Sequence, residues 1–379
     1  MMKVRQNKFM IDSFGLYIHV PFRIYKHNYS GTLSHFNMDF KIRPYFRALI
    51  NELKLYKHKN YIIDSIYIGG GDPSYADETY IVDVLNYIYD NFNILDNCEK
   101  TIEIIPTTPE YMIKAYIRAG INRFSIKAIT FDKVGLENLD IEHDKFDIIQ
   151  IVKILRRNNI NNINFDMYFP YTGQTVDLVK SDLKYIEKLN IPHVSLYTLR
   201  TDEELIPKIE QQDKEDKLEF EILETVSEEL TNIGYLHYEI NHFAKTGYRS
   251  YHNIKYWNLN NFIGVGLGSG SFIDGVFYKN EIEFDKYFYS IKEGKLPYRI
   301  VEKWTKEDYE KNYIISKMGM IEGVSIQEFN KKFGIDFLTK YKSELDKFIK
   351  ENVIEIKGDR VKFTRKGVYY SNRFYMEII

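Results

Sequence analysis

GLYIHVPFRIYKHNYSGT (15–32) is the stretch on which the fold of this chain turns. Residues 15–20 alternate as a strand does, and the segment after them carries Arg23, His27 and Ser30. Further along, short β-branched or apolar runs recur: SIYIGG (65–70), TIEII (101–105), RFSIKA (123–128), NINFDMYF (162–169) and HVSLYTL (193–199). Amphipathic segments of helical period fall between them, near 42–57, 76–91, 109–119, 144–158 and 175–189. Six βα units in succession require parallel strands joined by right-handed crossovers, so the fold class is α/β. Such strands close into a barrel or stay open, and either way chemistry belongs at their C-terminal ends.

A chain of 379 residues has length for two or three domains, and 44% hydrophobic with 28% charged residues is an ordinary soluble composition. A formal charge of −2 lacks the basic face that general nucleic-acid binding needs. No run is long and apolar enough for a membrane span, and Met1 to Asp12 has no signal-peptide core, which gives a cytoplasmic expectation. Cys98 stands alone and so forms neither an internal disulfide nor a thiolate cluster.

The informative residues sit at strand ends. GGGDPS (69–74) follows the second strand directly, and its glycines suit either a tight turn or a backbone that approaches a ligand closely. Glu103 and Asp166 are carboxylates among apolar neighbours. Each needs a donor or a cation, supplied by a ligand or by the chain's own backbone.

In order, LYIHVPF, GGGDPS, RFSIKAITF, GQT, VSLY, YEINHFA, HNIKYW and GVGLGSGSF resemble the radical SAM family of HemW heme chaperones and oxygen-independent coproporphyrinogen III oxidases, from about residue 14 onward. The resemblance implies an incomplete parallel (β/α)6 barrel with a C-terminal winged-helix-like module, a [4Fe-4S] cluster and S-adenosylmethionine. The implied cluster motif is Cys-x3-Cys-x2-Cys, yet those positions hold Arg23, His27 and Ser30. A guanidinium has no lone pair to give iron, so the cluster and its cosubstrate are expected to be absent, with no catalytic residue and no metal. The S-adenosylmethionine positions implied by the resemblance are Tyr17, Gly70, Gly71, Asp72, Glu103 and Asp166, a vestigial cleft. Asp72 stands where the family has threonine, and Ile129 and Ile141 where it has glutamine and arginine. Those groups would pair with ribose hydroxyls and carboxylate at about 1–3 kcal/mol each.

HNIKYW (252–257) keeps the HNxxYW pattern that the HemW branch uses in holding heme. The resemblance therefore implies heme binding by His252, Asn253, Tyr256 and Trp257: an imidazole for iron and flat aromatic faces for a porphyrin. The alternative is a hydrogen-bonded corner at His252 and Asn253 with Trp257 in the core. Glu239 and His242 of YEINHFA would lie beside it in structural roles, and Gly270 replaces a family histidine in GVGLGSGSF.

From about Glu302 helices follow without strands, then VIEIKGDRVKFT (353–364) reads as a hairpin. With 16 basic and 13 acidic residues over 301–379, no basic stripe marks DNA binding. The expected organisation is a tail at 1–12, the barrel at 13–232, a connecting region at 233–300 and the winged-helix-like domain at 301–379. The resemblance and the departures from it leave three functions open: a heme-binding chaperone-type protein with a heme-accepting partner, a porphyrin-acting radical SAM enzyme, or an inactive scaffold.

Overall fold

The computed structural model describes residues 13–25, 31–171, 173–198 and 209–378. The six expected strands form in order as β1 (Ser13–Val20), β2 (Ile62–Gly70), β3 (Asn93–Ile104), β4 (Arg123–Ile129), β5 (Ile163–Phe169) and β6 (His193–Thr198). Each pairs in parallel with the next. Between them run α1 (Asp39–Tyr56), α2 (Glu78–Asn91), α3 (Glu110–Arg118), α4 (Lys133–Asn138), α5 (Lys145–Arg157) and α6 (Val176–Lys188). Local chemistry fixes several of their starts. Asp77 accepts from Thr79 N at the head of α2, and Asp144 forms a capping box with Asp147 at the head of α5.

Alternation divides each strand. Leu16, Ile18, Ile66, Ile68, Ile102, Phe124, Ile126, Phe165 and Val194 join the apolar core under the helices, all essentially excluded from water. At about 25 cal/mol per Å2 of apolar surface, each such side chain contributes roughly 1.5–3 kcal/mol. The opposite faces carry Tyr17, His19, Ser65, Tyr67, Glu103, Ser125, Lys127, Asn164, Asp166, His193 and Ser195, so the concave interior of the sheet is polar.

A seventh parallel strand, β9 (Phe262–Val265), pairs with the far side of β1. Its four residues, cut short by the glycines of GVGLGSG, are too few to stand out as a periodic run. The sheet also takes in β7 (Leu236–Glu239) and β8 (His242–Ala244) beyond β6, and β10 (Gly270–Ile273), β11 (Val276–Asn280) and β12 (Tyr298–Lys303) beyond β9, all antiparallel. Twelve strands result. α7 (Ile209–Asn232) precedes β7, and α8 (Tyr251–Trp257) lies between β8 and β9.

The C-terminal region has its own core of Tyr313, Ile314, Phe329, Phe333, Phe337, Phe348, Val361 and Phe374. The hairpin forms as expected, with Ile354–Lys357 against Arg360–Phe363, and Val324–Ser325 adds a third strand.

Candidate functional site

The barrel mouth, at the C-terminal strand ends, gathers the residues of the expected cleft. β2 runs out into Gly70, Gly71 and Asp72. Gly70 has φ +121, and a Cβ on Gly71 would stand 2.2 Å from the Phe22 carbonyl oxygen. Gly71 N donates to Val20 O at 2.9 Å and Asp72 N to Phe22 O at 2.6 Å. These glycines therefore let two stretches of the chain's own backbone touch, which is the tight-turn alternative. Asp72 accepts from Ile24 N at 2.9 Å, which ties the segment after β1 across the mouth.

Glu103, at the end of β3, accepts from Tyr67 OH at 3.0 Å and Gly70 N at 3.2 Å. Burial pushes its carboxyl up to about 7, against the opposing pull of the Lys127 ammonium. Asp166 accepts from Ser125 Oγ at 2.9 Å and Asn164 Nδ2 at 2.8 Å, and Tyr17 OH meets His19 Nδ1 at 3.0 Å. Every one of the polar cleft side chains named from the sequence thus has a partner within the chain.

Lys127 escaped the sequence reading. It lies on β4, and its Nζ donates to the Gly71 carbonyl and to Asp72 Oδ1 at 3.0 Å, with Glu103 Oε2 at 3.9 Å. Burial works against this ammonium, but Asp72 and then Glu103 outweigh it and hold its pKa above that of an ordinary lysine. The signal was present: in RFSIKAI, residues 123, 125 and 127 share the polar face of a buried strand.

Beside the charged group the mouth is apolar. Ile129 and Ile141, which stand where the family carries glutamine and arginine, pack with Leu136, Leu139, Tyr168 and Tyr171, with Tyr25 and Tyr197 at the margin. Ile129 takes φ +66, a region that costs a β-branched residue about 1–3 kcal/mol.

Neither family cofactor fits this donor set. Arg23, at the first cluster position, turns its guanidinium onto the chain: Nε donates to Tyr25 O at 3.1 Å and Nη1 to Ser34 O at 2.8 Å. It offers iron nothing. His27 and Ser30 lie outside the described residues. Among the described residues no group of three or more His, Cys, Asp or Glu is placed to hold a metal ion. For S-adenosylmethionine, an ammonium already stands between Asp72 and Glu103, and the positions that should donate to a ribose and a carboxylate are aliphatic.

The opposite end is closed by α8, which carries HNIKYW. Ser250 caps the helix through Asn253 N, and Glu99 accepts from the backbone N–H groups of Tyr251 and His252 at 3.1 and 3.0 Å. Lys255 and Asp64 form a buried ion pair at 2.7 Å. His252 is wholly buried, its Nδ1 on Ser65 Oγ at 2.9 Å and its Nε2 on Tyr256 OH at 2.8 Å. Burial, then Lys255 and Arg123, lower its pKa to about 3, so the imidazole is neutral and spoken for. Within the chain, then, both ring nitrogens of His252 are engaged, one by Ser65 and the other by Tyr256. Asn253 is half-buried on the same helix. Glu239 and His242 contact at 2.5 Å deep in the fold, a structural pair. At Gly270 a Cβ would meet only ordinary contacts, the nearest at 3.5 Å from Phe277; it is Gly264 that has no room for one, since its Cβ would stand 2.1 Å from the Gly270 carbonyl oxygen.

Trp257 differs from its three companions. It packs over Gly319 and lines a cleft of about 440 Å3, together with Tyr197, Leu223, Tyr369 and Tyr375, between the barrel edge and the C-terminal region. The Tyr375 hydroxyl is buried there without a hydrogen-bond partner among the described residues.

A parallel barrel continued by a small helical module with a hairpin defines the class, and residues 41–186 match the radical SAM superfamily while 305–370 match the HemN C-terminal domain. The fold is that of coproporphyrinogen III oxidase HemN from Escherichia coli, a radical SAM enzyme, with a TM-score of 0.83 at 18% identity over 97% of this chain and 90% of that one. Heme chaperone HemW of Lactococcus lactis subsp. lactis is 26% identical over 371 residues, 96% of each chain. That of Buchnera aphidicola subsp. Acyrthosiphon pisum is 31% identical over 268 residues, 69% of this chain and 70% of the relative. The chain belongs to the HemW family.

Proposed function

We propose that this protein is a heme-binding, HemW-type chaperone in which the radical chemistry of the superfamily has been given up. The relatives supply the heme, through their names. The observation that carries the loss of chemistry is Arg23, a permanent cation hydrogen-bonded to backbone carbonyls at the first cluster position. An iron–sulfur cluster needs anionic sulfur there, and without its open iron S-adenosylmethionine has no site of reduction. The protein therefore does not cleave S-adenosylmethionine, and it hands heme to an accepting protein by binding and release. No helix among the described residues is long and apolar enough to cross a membrane, in keeping with work in the cytoplasm.

Heme lies with one edge in the 440 Å3 cleft, stacked on Trp257, rather than at the buried His252. Aromatic faces suit a porphyrin plane, and Asn241, Ser371 and Asn372 give the cleft polar groups beside them. The test is a heme titration followed at the Soret band. Trp257→Ala should weaken binding about tenfold or more while leaving the circular dichroism spectrum unchanged. An identical titration curve for the variant removes heme from this cleft, and detection of deoxyadenosine under anaerobic reduction removes the loss of radical chemistry.

A further inference from the structure

We propose that Lys127 is a tethered cation occupying a ready-made primary-ammonium site at the barrel mouth, and that it determines which ligands the mouth excludes. This rests on the preceding conclusion that the mouth no longer serves S-adenosylmethionine, and it names the residue that bars that class of ligand. The site has three walls. The Gly71 carbonyl and Asp72 Oδ1 both accept from Nζ, and Glu103 Oε2 stands 3.9 Å away. A backbone carbonyl and two carboxylates around one small volume is the acceptor set that an ammonium with three N–H donors satisfies.

These acceptors come from the ends of two neighbouring strands, β2 for Gly71 and Asp72 and β3 for Glu103, and are fixed independently of Lys127. Gly71 is held by its N–H on Val20 O, Asp72 by Ile24 N, and Glu103 by Tyr67 and Gly70. Lys127 reaches them from β4, the strand next to β3, so its side chain extends past β3 to the end of β2. S-adenosylmethionine carries its own α-ammonium and a positive sulfur. Either would meet Nζ as a like charge at a few ångströms in a partly desolvated site, where repulsion is far stronger than in water. The apolar cluster of Ile129, Ile141 and Tyr168 fills the adjoining space, and the strained φ of Ile129 persists because that packing holds it.

If the acceptors are built for an ammonium and not only for this side chain, removing the side chain leaves a site that an added ammonium can fill. The experiment uses the full-length chain with Lys127→Ala and compares methylammonium chloride with tetramethylammonium chloride at equal ionic strength. The variant should unfold at a lower temperature than the wild type. Methylammonium should raise its midpoint saturably, by about 2–4 °C at ten times the dissociation constant, whereas tetramethylammonium, which has no N–H donor, should not. The wild type should respond equally to both salts. If the variant folds only with help, the yield of folded protein on refolding in each salt gives the same comparison. Equal responses of the variant to the two cations overturn the proposal, as does binding of S-adenosylmethionine by the wild type in equilibrium dialysis. A Soret titration of the same variant keeps the two conclusions apart. Unchanged heme binding with no methylammonium response defeats only the ammonium site, and absent heme binding in the wild type defeats only the heme chaperone.

Discussion

The two ends of the barrel have kept their motifs for opposite reasons. At the mouth the backbone makes a close turn at Gly70 and Gly71, and side chains of the same chain occupy the space it encloses: Lys127 among the acceptors, Ile129 and Ile141 beside them. At the floor the side chains themselves persist, because HNIKYW is wired into the barrel. His252 bridges Ser65 and Tyr256, Lys255 meets Asp64, and Glu99 holds the helix start. The side chains of His252, Lys255 and Tyr256 are thus engaged within the barrel, whereas Trp257 lines a cleft beside it.

If the floor is structural, breaking its buried ion pair must cost heavily. Lys255 and Asp64 are each almost fully buried, so Lys255→Met strands a buried carboxylate without its counter-charge, with only the hydroxyls of Ser13, Ser65 and Tyr251 beside it among the described residues. A loss of about 3–5 kcal/mol in urea unfolding is expected. The double variant Lys255→Met with Asp64→Asn should recover much of it. A single variant within about 1 kcal/mol of the wild type would show that the floor is not held by this pair.

The ends should also separate by pH. Glu103 has its carboxyl raised to about 7 chiefly by burial, above its ordinary value of 4.5. A folded-state value above the unfolded one means that the folded form binds the proton more tightly. This contribution to stability therefore rises as pH falls through 7 and is complete below about 4.5. His252 runs the other way, because its value of about 3 lies below the ordinary 6.5. The unfolded chain takes up that proton first, so stability falls as pH drops below 6.5. Relative to Glu103→Gln, the wild type should gain about 2 kcal/mol between pH 8 and pH 5.5. A constant difference across that window would mean that Glu103 does not titrate as an isolated buried acid.

The strand order was legible in the sequence, because six runs of β-branched and apolar residues alternate with helical periods over about 190 residues, long enough for periodicity to speak. The seventh parallel strand was not, since FIGV alone is shorter than any reliable period. Among site residues, the unfitness of Arg23 as an iron ligand could be read from charge alone, because a guanidinium has no lone pair to give in any geometry. The role of His252 could not. Sequence gives the identity of an imidazole, but what its two nitrogens bind is settled by Ser65, nearly two hundred residues away, and by Tyr256 one turn on. Lys127 lay between these cases: alternation puts it inside, and only the fold puts Asp72 and Glu103 beside it.

The smallest effect is the sharpest test of how the mouth was filled. Ile129 and Ile141 are about equally buried, at 4% and 6% exposure, and belong to one apolar cluster. Truncation to glycine removes similar contacts at both and ordinarily costs several kcal/mol at a buried isoleucine. At Ile129 the glycine also relieves a φ of +66, which returns about 1–3 kcal/mol. Ile129→Gly should therefore be less destabilising than Ile141→Gly by about 1–2 kcal/mol, measured by urea unfolding at one pH. Equal losses would mean that the backbone at 129 is relaxed and that the isoleucine entered the cleft without strain. A smaller loss at 129 identifies that position as one whose backbone still follows a path better suited to another residue, while the side chain now serves to close the mouth.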